Sequence, residues 1–210
     1  IGVAGCMSLL VSGFGISDSL NAIITKQFSD VSHYDLMTVV TKEEATEQGE
    51  VYDYLYNSGQ FTESMTVAVQ STRQSIPDGE ADVYLMVPQD VTRFGDFLDL
   101  HERISRTPTP LGEEGVVLTE KFAKLLGVQA GDTVTLKNSD DQTGTFVVSG
   151  VCEHYVSNYV YMSPATYEAG FGEPVSFNAV ISRMADDSDA AHDTISAALL
   201  ARKLYMLRQG

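Results

Sequence analysis

Residues Gly115–Leu136, GVVLTEKFAKLLGVQAGDTVTL, decide how this chain is read. Val116, Val117 and Leu118 make a short apolar run of strand character, and Thr119 is placed to cap a helix. Phe122, Ala123, Leu125 and Leu126 then fall on one helical face. Gly127 stands where a helix ends in the left-handed conformation that side chains disfavour. Gly131-Asp132 is a second turn, and Thr133–Leu136 alternates polar with apolar as a strand does. The stretch therefore predicts strand, helix, turn, strand. It contains no nucleophile–base pair and no cluster of metal ligands.

Outward from this stretch, the chain punctuates itself. Towards the N-terminus, Arg106-Thr-Pro-Thr-Pro-Leu-Gly112 has the composition of a linker. Before it, the pattern predicts a strand over Tyr34–Val40 and a helix opened by the Thr41/Glu44 capping box and closed at Asn57-Ser58-Gly59. A long alternating strand over Thr62–Ile76 follows, with Met65, Val67 and Val69 on one side. Pro77-Asp78-Gly79 is a turn, Ala81–Val87 a buried strand, and Asp90–Leu100 a helix. Beyond the central stretch, residues 138–144 read as a hairpin turn. Thr145–Cys152 and Tyr159–Met162 read as strands. Ser163-Pro164 opens a helix that Gly170-Phe-Gly172 closes. Phe177–Ser182 is the last expected strand. Asp186, Asp187 and Asp189 then lead a final helix, with Ile195, Ala198 and Leu199 inward and Arg202, Lys203 and Arg208 at its end.

The N-terminal part has a different character. Ile1–Ser17 carries no charge and, as a helix, would span about 25 Å against a bilayer core of about 30 Å. Ala4, Ser8 and Ser12 recur at the small-residue spacing of packed membrane helices. The run lacks the basic start and the cleavage site of a secretory signal. A buried soluble helix would rarely hold Gly2, Gly5, Gly13 and Gly15. From Leu20 to Val31 the pattern becomes amphipathic, with Leu20, Ile23, Ile24, Phe28 and Val31 on one face. Because the chain begins at Ile1 rather than Met, it reads as a fragment or processed product, and Leu20–Val31 fits equally a stalk that continues a membrane helix and a simple surface helix of a soluble domain.

The 210 residues suffice for one large domain or two lobes. A net charge of −16 repels phosphate backbones and anionic lipid, so no nucleic-acid partner is expected. The two cysteines, Cys6 and Cys152, occupy unlike environments and are not expected to pair.

The candidate sites are few. Cys152 and His154 share a strand face, the geometry a Cys–His pair or two metal ligands need. His33, His101 and His192 are scattered, however, so the four closely spaced ligands of structural zinc are lacking. Asp140-Asp141 and Asp186-Asp187-Ser188-Asp189 lack calcium-loop spacing and are explained by a turn and a helix start. Tyr155, Tyr159, Tyr161 and Tyr167 could offer an aromatic platform for sugar or peptide, although Tyr159 and Tyr161 share a face and read partly as core. No nucleophile elbow, metalloprotease helix or phosphate loop is present. The expected catalytic, cofactor-binding and metal residues are therefore none, and no cofactor is expected.

The pattern VVLTEKFAKLLGVQAGDTVTL resembles the signature of extracytoplasmic domains in FtsX-like, MacB-type ABC transporter permeases, and IGVAGCMSLLVSGFGISDSL resembles their first membrane helix where it leaves the bilayer. The resemblance implies an α+β, two-lobed periplasmic core: an α+β lobe with an inserted β-rich lobe, flanked by stalk helices. On this chain it implies the end of a transmembrane helix and stalk over 1–31, a membrane-proximal α+β lobe over 32–105 with 175–210, and an inserted β-rich lobe over 106–174. It implies no enzyme activity here, a cytoplasmic ABC ATPase as partner, a permease dimer, and an extracellular protein, peptide or lipid substrate. It also implies a place on the extracytoplasmic side of the cell membrane. The basic tail Lys203–Gly210 departs from the membrane helix expected next. A free-standing secreted or membrane-anchored ligand-binding domain is the alternative, with an unrecognised hydrolase behind it.

Overall fold

The computed structural model describes residues 30–40, 49–186 and 188–206. Their strands form one eight-stranded sheet in the order β1-β8-β2-β3-β7-β4-β6-β5. In chain order these are β1 (Leu36–Val39), β2 (Phe61–Ile76), β3 (Gly79–Pro88), β4 (Val116–Thr119), β5 (Thr133–Lys137), β6 (Thr143–Cys152), β7 (Tyr159–Met162) and β8 (Ala179–Met184). The described helices are α1 (Glu50–Asn57), α2 (Phe94–Phe97, after a 3-10 turn over Val91–Arg93), α3 (Glu120–Leu126), α4 (Pro164–Phe171) and α5 (Asp189–Met206). The fold is α+β, as expected.

Strand β8 returns to lie between β1 and β2, and this group meets β4–β7 where β3 and β7 run parallel, with Leu85 opposite Val160. Side chains alternate across the sheet, so each strand feeds two cores. On one face Leu85, Leu118, Phe122, Phe146, Met162 and Tyr167 pack beneath α3 and α4. On the other, Met65, Val67, Met86, Val117 and Tyr161 are covered by Phe94, Phe97 and Leu98. A third cluster sets Val51 and Leu55 of α1 on Val180. The sheet also curls: Gln74, buried near the end of β2, lays its carboxamide along the edge strand β5. Its Nε2 donates to the Lys137 carbonyl (2.6 Å) and its Oε1 accepts from the Lys137 amide (2.9 Å), so one side chain closes the gap that a missing strand pair leaves.

The central stretch folds as read. Gly127 ends α3 at φ +70°, where its amide bonds back to Lys124. Thr119 departs from expectation: it holds the cap position, but its hydroxyl makes no capping bond and instead accepts from the Tyr159 amide (3.1 Å). It thus ties the end of β4 to the start of β7. Ser163 does cap α4, accepting from the Thr166 amide (3.0 Å), with Pro164 at the first helical position.

Three boundaries shift for identifiable reasons. The helix expected over Asp90–Leu100 stops at Phe97, because Leu98 is drawn into an antiparallel bridge with Ser32. The last strand starts at Ala179 rather than Phe177, because the Asn178 side chain itself bonds the amide and the carbonyl of Val69 (2.8 and 2.9 Å). The helix ending at Asn57 is preceded by an extended Gly49, so its described turns begin at Glu50. Thr41 and Glu44 lie outside the described residues, as do Ile1–Ser17, Leu20–Phe28, Cys6, Asp187 and Arg208.

Candidate coupling junction

The described chain begins against the middle of the molecule. The Asp99 amide donates to the Val31 carbonyl (2.9 Å), and the His33 amide donates to the Phe97 carbonyl (2.8 Å), so residues 31–33 run antiparallel to 97–99. The chain then folds into a small hairpin over residues 100–109. The Thr109 amide donates to Leu100 (2.7 Å) and the Glu102 amide to Thr107 (2.9 Å). The segment read as a linker is therefore half of an ordered hairpin. Its turn places Arg106 at φ +56°, a conformation uncommon outside glycine.

Side chains explain why Arg106 is held there. Its Nη1 lies 2.8 Å from His101 Nε2, and 3.5 Å from both Glu153 Oε2 and Asp30 Oδ2. His101 Nε2 also lies 2.9 Å from Glu153 Oε2, and His101 Nδ1 is 3.1 Å from the Asp99 carbonyl. One ring nitrogen serves one partner at a time, as donor to Glu153 or as acceptor from Arg106. The His101 and Glu153 side chains are only 3% and 4% exposed. A buried carboxylate needs such partners. Glu153 has two more: its amide donates to the His101 carbonyl (2.7 Å), and Tyr155 donates its hydroxyl to Oε1. Burial, and then that carboxylate, push the Tyr155 hydroxyl up to about 12. Beside the cluster, Arg103 grips Glu120 of α3 with Nε and Nη2 (2.7 and 3.1 Å). This holds the Glu120 carboxyl below its usual range and raises Arg103.

The junction thus joins three segments: the N-terminal run through Asp30, the 100–109 hairpin, and the end of β6. Of its members, the sequence reading named only Tyr155 as a candidate binding residue, and in another role. His101 was one of the scattered histidines, Arg106 opened a linker, and Glu153 stood between two more conspicuous residues.

The residues that were singled out have other surroundings. Cys152 is a buried free thiol that burial pushes up to about 12. His154 is brought down to about 4, again by burial, and its ring lies 4.8 Å from that of Tyr159. Both are neutral near pH 7, whereas a Cys–His pair works through a thiolate. The four tyrosines do not form one platform. Tyr161 and Tyr167 are buried on opposite faces of the sheet, Tyr159 stacks parallel to Tyr161 (5.7 Å), and Tyr155 belongs to the junction. Among the described residues, no three His, Cys, Asp or Glu side chains are grouped to hold a metal ion, and no helix is long and apolar enough to cross a membrane.

Residues 1–198 match the family model of the MacB-like periplasmic core domain. The chain belongs to that family. This makes it the periplasmic core domain of an ABC transporter permease, a membrane-embedded class that works with cytoplasmic ATPases, and the family is not a catalytic one. Solved structures similar to this MacB-like domain include the extracellular domain of the noncanonic ABC-type transporter YknZ from Gram-positive bacteria (17% identity, 72% of this chain and 83% of that one, TM-score 0.45). They also include the periplasmic region of MacB from Actinobacillus actinomycetemcomitans (15%, 82% of that chain and 83% of this one, TM-score 0.44). A domain of a putative permease protein from Porphyromonas gingivalis is similar as well (12%, 82% of this chain and 86% of that one, TM-score 0.42). No curated protein sequence matches the chain.

Proposed function

We propose that this MacB-like domain transmits motion mechanically from a partner cytoplasmic ATPase to substrate export or to an extracellular partner, and that motion enters it at the Asp30–Arg106–His101–Glu153 junction. One observation carries the reading: Arg106 links Asp30, at the start of the described chain, to the buried Glu153 carboxylate that follows β6, while the backbone of residues 31–33 pairs with 97–99. A lever must be attached stiffly at its load. A buried, multiply bonded carboxylate attaches more stiffly than exposed surface pairs do.

In this reading residues 1–31 are the end of a membrane helix and its stalk. Residues 32–105 with 175–210 are the membrane-proximal lobe, and 106–174 are the inserted lobe. Arg106 therefore stands where the inserted lobe begins. A permease dimer and an extracellular protein, peptide or lipid substrate belong to the same reading. The stalk is tested by Ile24→Pro in the full permease, since a proline in mid-helix costs about 3 kcal/mol or more. ATP hydrolysis that continues while output is lost supports a stiff lever. Normal output from a correctly inserted variant contradicts it.

A further inference from the structure

The two ring nitrogens of His101 face different company. Nδ1 lies 3.1 Å from the Asp99 carbonyl oxygen and 3.4 Å from Asp99 Oδ2, both of them acceptors. Nδ1 therefore carries a proton, and a neutral ring leaves Nε2 bare. A bare Nε2 is what Arg106 needs, because its Nη1 stands 2.8 Å away and can only donate. In that state Nε2 and Glu153 Oε2, 2.9 Å apart, meet with no proton between them. Arg106 offsets their repulsion by lying 3.5 Å from Oε2, and it reaches Asp30 Oδ2 over the same distance. The neutral ring thus seats the side chain that links Asp30 to Glu153.

A second proton on the ring reverses these preferences. Nε2–H then points at Glu153 Oε2 and makes a charge-assisted bond, stronger than a neutral one. Nε2–H and the Arg106 Nη1–H now face each other across 2.8 Å with no acceptor between them, and imidazolium and guanidinium repel. Glu153 keeps its bonds to the His101 carbonyl and the Tyr155 hydroxyl in either state. Arg106 is the group that loses its seat, and at 54% exposure it swings into water without opening the core. The neighbouring charges are engaged elsewhere: Glu102 accepts from the Ser105 hydroxyl, and Arg103 holds both oxygens of Glu120.

We propose that His101 is a proton-operated latch on the junction: a neutral ring holds Arg106 between Asp30 and Glu153, and a protonated ring takes Glu153 for itself and releases Arg106. Histidine is the side chain whose proton comes and goes between about pH 5 and 8, so acidification of the extracytoplasmic space is the signal such a latch reads. Its consequence for transport rests on the coupling reading, because loosening the Asp30 link matters only if motion passes there. The exchange of partners does not, and it is measured on the 210-residue chain without an ATPase, so it can fail while the coupling reading stands.

The experiment follows the side-chain nitrogens of the 210-residue chain by NMR between about pH 7.5 and about pH 5. Through-bond correlations from its own backbone assign the His101 ring without any variant. At the upper pH the latch expects a protonated Nδ1 and a bare Nε2, with the Arg106 guanidinium protons protected from water relative to free arginine at the same pH. As pH falls Nε2 should gain a proton, and across that same transition Arg106 should lose about tenfold in protection, the worth of one hydrogen bond of a charged group. In His101→Gln, whose carboxamide takes no second proton, that step should vanish. An Nε2 already protonated at the upper pH, a ring still neutral at the lower, or Arg106 protection that persists beside a protonated ring overturns the proposal. These three are read on the wild-type chain, so they hold even where the variant does not fold. A step retained in a folded His101→Gln chain also overturns it, and would assign the step to Glu153, Asp30 or Asp99.

Discussion

Nε2 of His101 stands 2.9 Å from Oε2 of Glu153, both side chains are buried, and the two lie 52 positions apart in the chain. Removing one partner of a buried hydrogen-bonded pair leaves the other unsatisfied, which costs about 1–3 kcal/mol and more where a charged group is involved, whereas replacing both by apolar groups is often nearly neutral. Glu153→Ala should therefore lower stability by about 3 kcal/mol or more in urea unfolding. His101→Phe combined with Glu153→Leu should cost clearly less than Glu153→Ala. A Glu153→Ala cost under about 1 kcal/mol would show that the cluster holds nothing together.

The pH dependence of stability should carry the mark of His154. Its folded pKa, about 4, lies below the ordinary 6.5 because the ring is buried. As pH falls through about 6.5, the unfolded chain takes up a proton that the folded chain refuses until about pH 4. Stability contributed by the neutral ring is thus full above that window, is lost across it, and changes no further below it. The loss is of the order of 3 kcal/mol at most. His154→Gln should flatten the stability profile between those two values. An unchanged slope would place the acid sensitivity elsewhere.

Thr109 of the hairpin lies directly on β6. A Cβ added at Gly150 would come within 2.0 Å of Thr109 Cγ2, the next contact being Thr109 Cβ at 3.6 Å. Gly150→Ala should therefore destabilise by about 1–3 kcal/mol through overpacking. Thr109→Ser, which removes Cγ2, should recover most of that loss in the double variant, while two independent sites would simply add. Strict additivity would mean that the hairpin does not rest on the sheet here.

What the sequence made legible was local. Val116–Leu118, Phe122, Gly127 and the alternation of Thr133–Leu136 each act within one turn or one strand, and these elements form where read. Errors arose where a distant partner outweighed a local preference. Thr119 looks like a helix cap, but the Tyr159 amide claims its hydroxyl. Leu98 continues a helical pattern until Ser32 pairs with it as an extended residue. The junction was illegible for the same reason in stronger form. Arg106 meets Asp30 across 76 positions and Glu153 across 47, and nothing in the local pattern of RTPTPLG marks its first residue as the partner of a buried carboxylate. Glu153 lay one residue from both Cys152 and His154, whose chemistry drew attention away from it.

The central claim is that motion passes through the junction, and Arg106→Ala tests it most directly. Arg106 is 54% exposed and its hairpin is held by backbone bonds, so the variant should fold and insert. ATP hydrolysis and transport or partner activation are then measured side by side in the full permease with its ATPase. Transmission through Asp30, Arg106 and Glu153 predicts hydrolysis close to that of the parent with output reduced about tenfold, within the usual range of an allosteric coupling. Output at the parental level from a stable, correctly inserted Arg106→Ala permease would contradict the account.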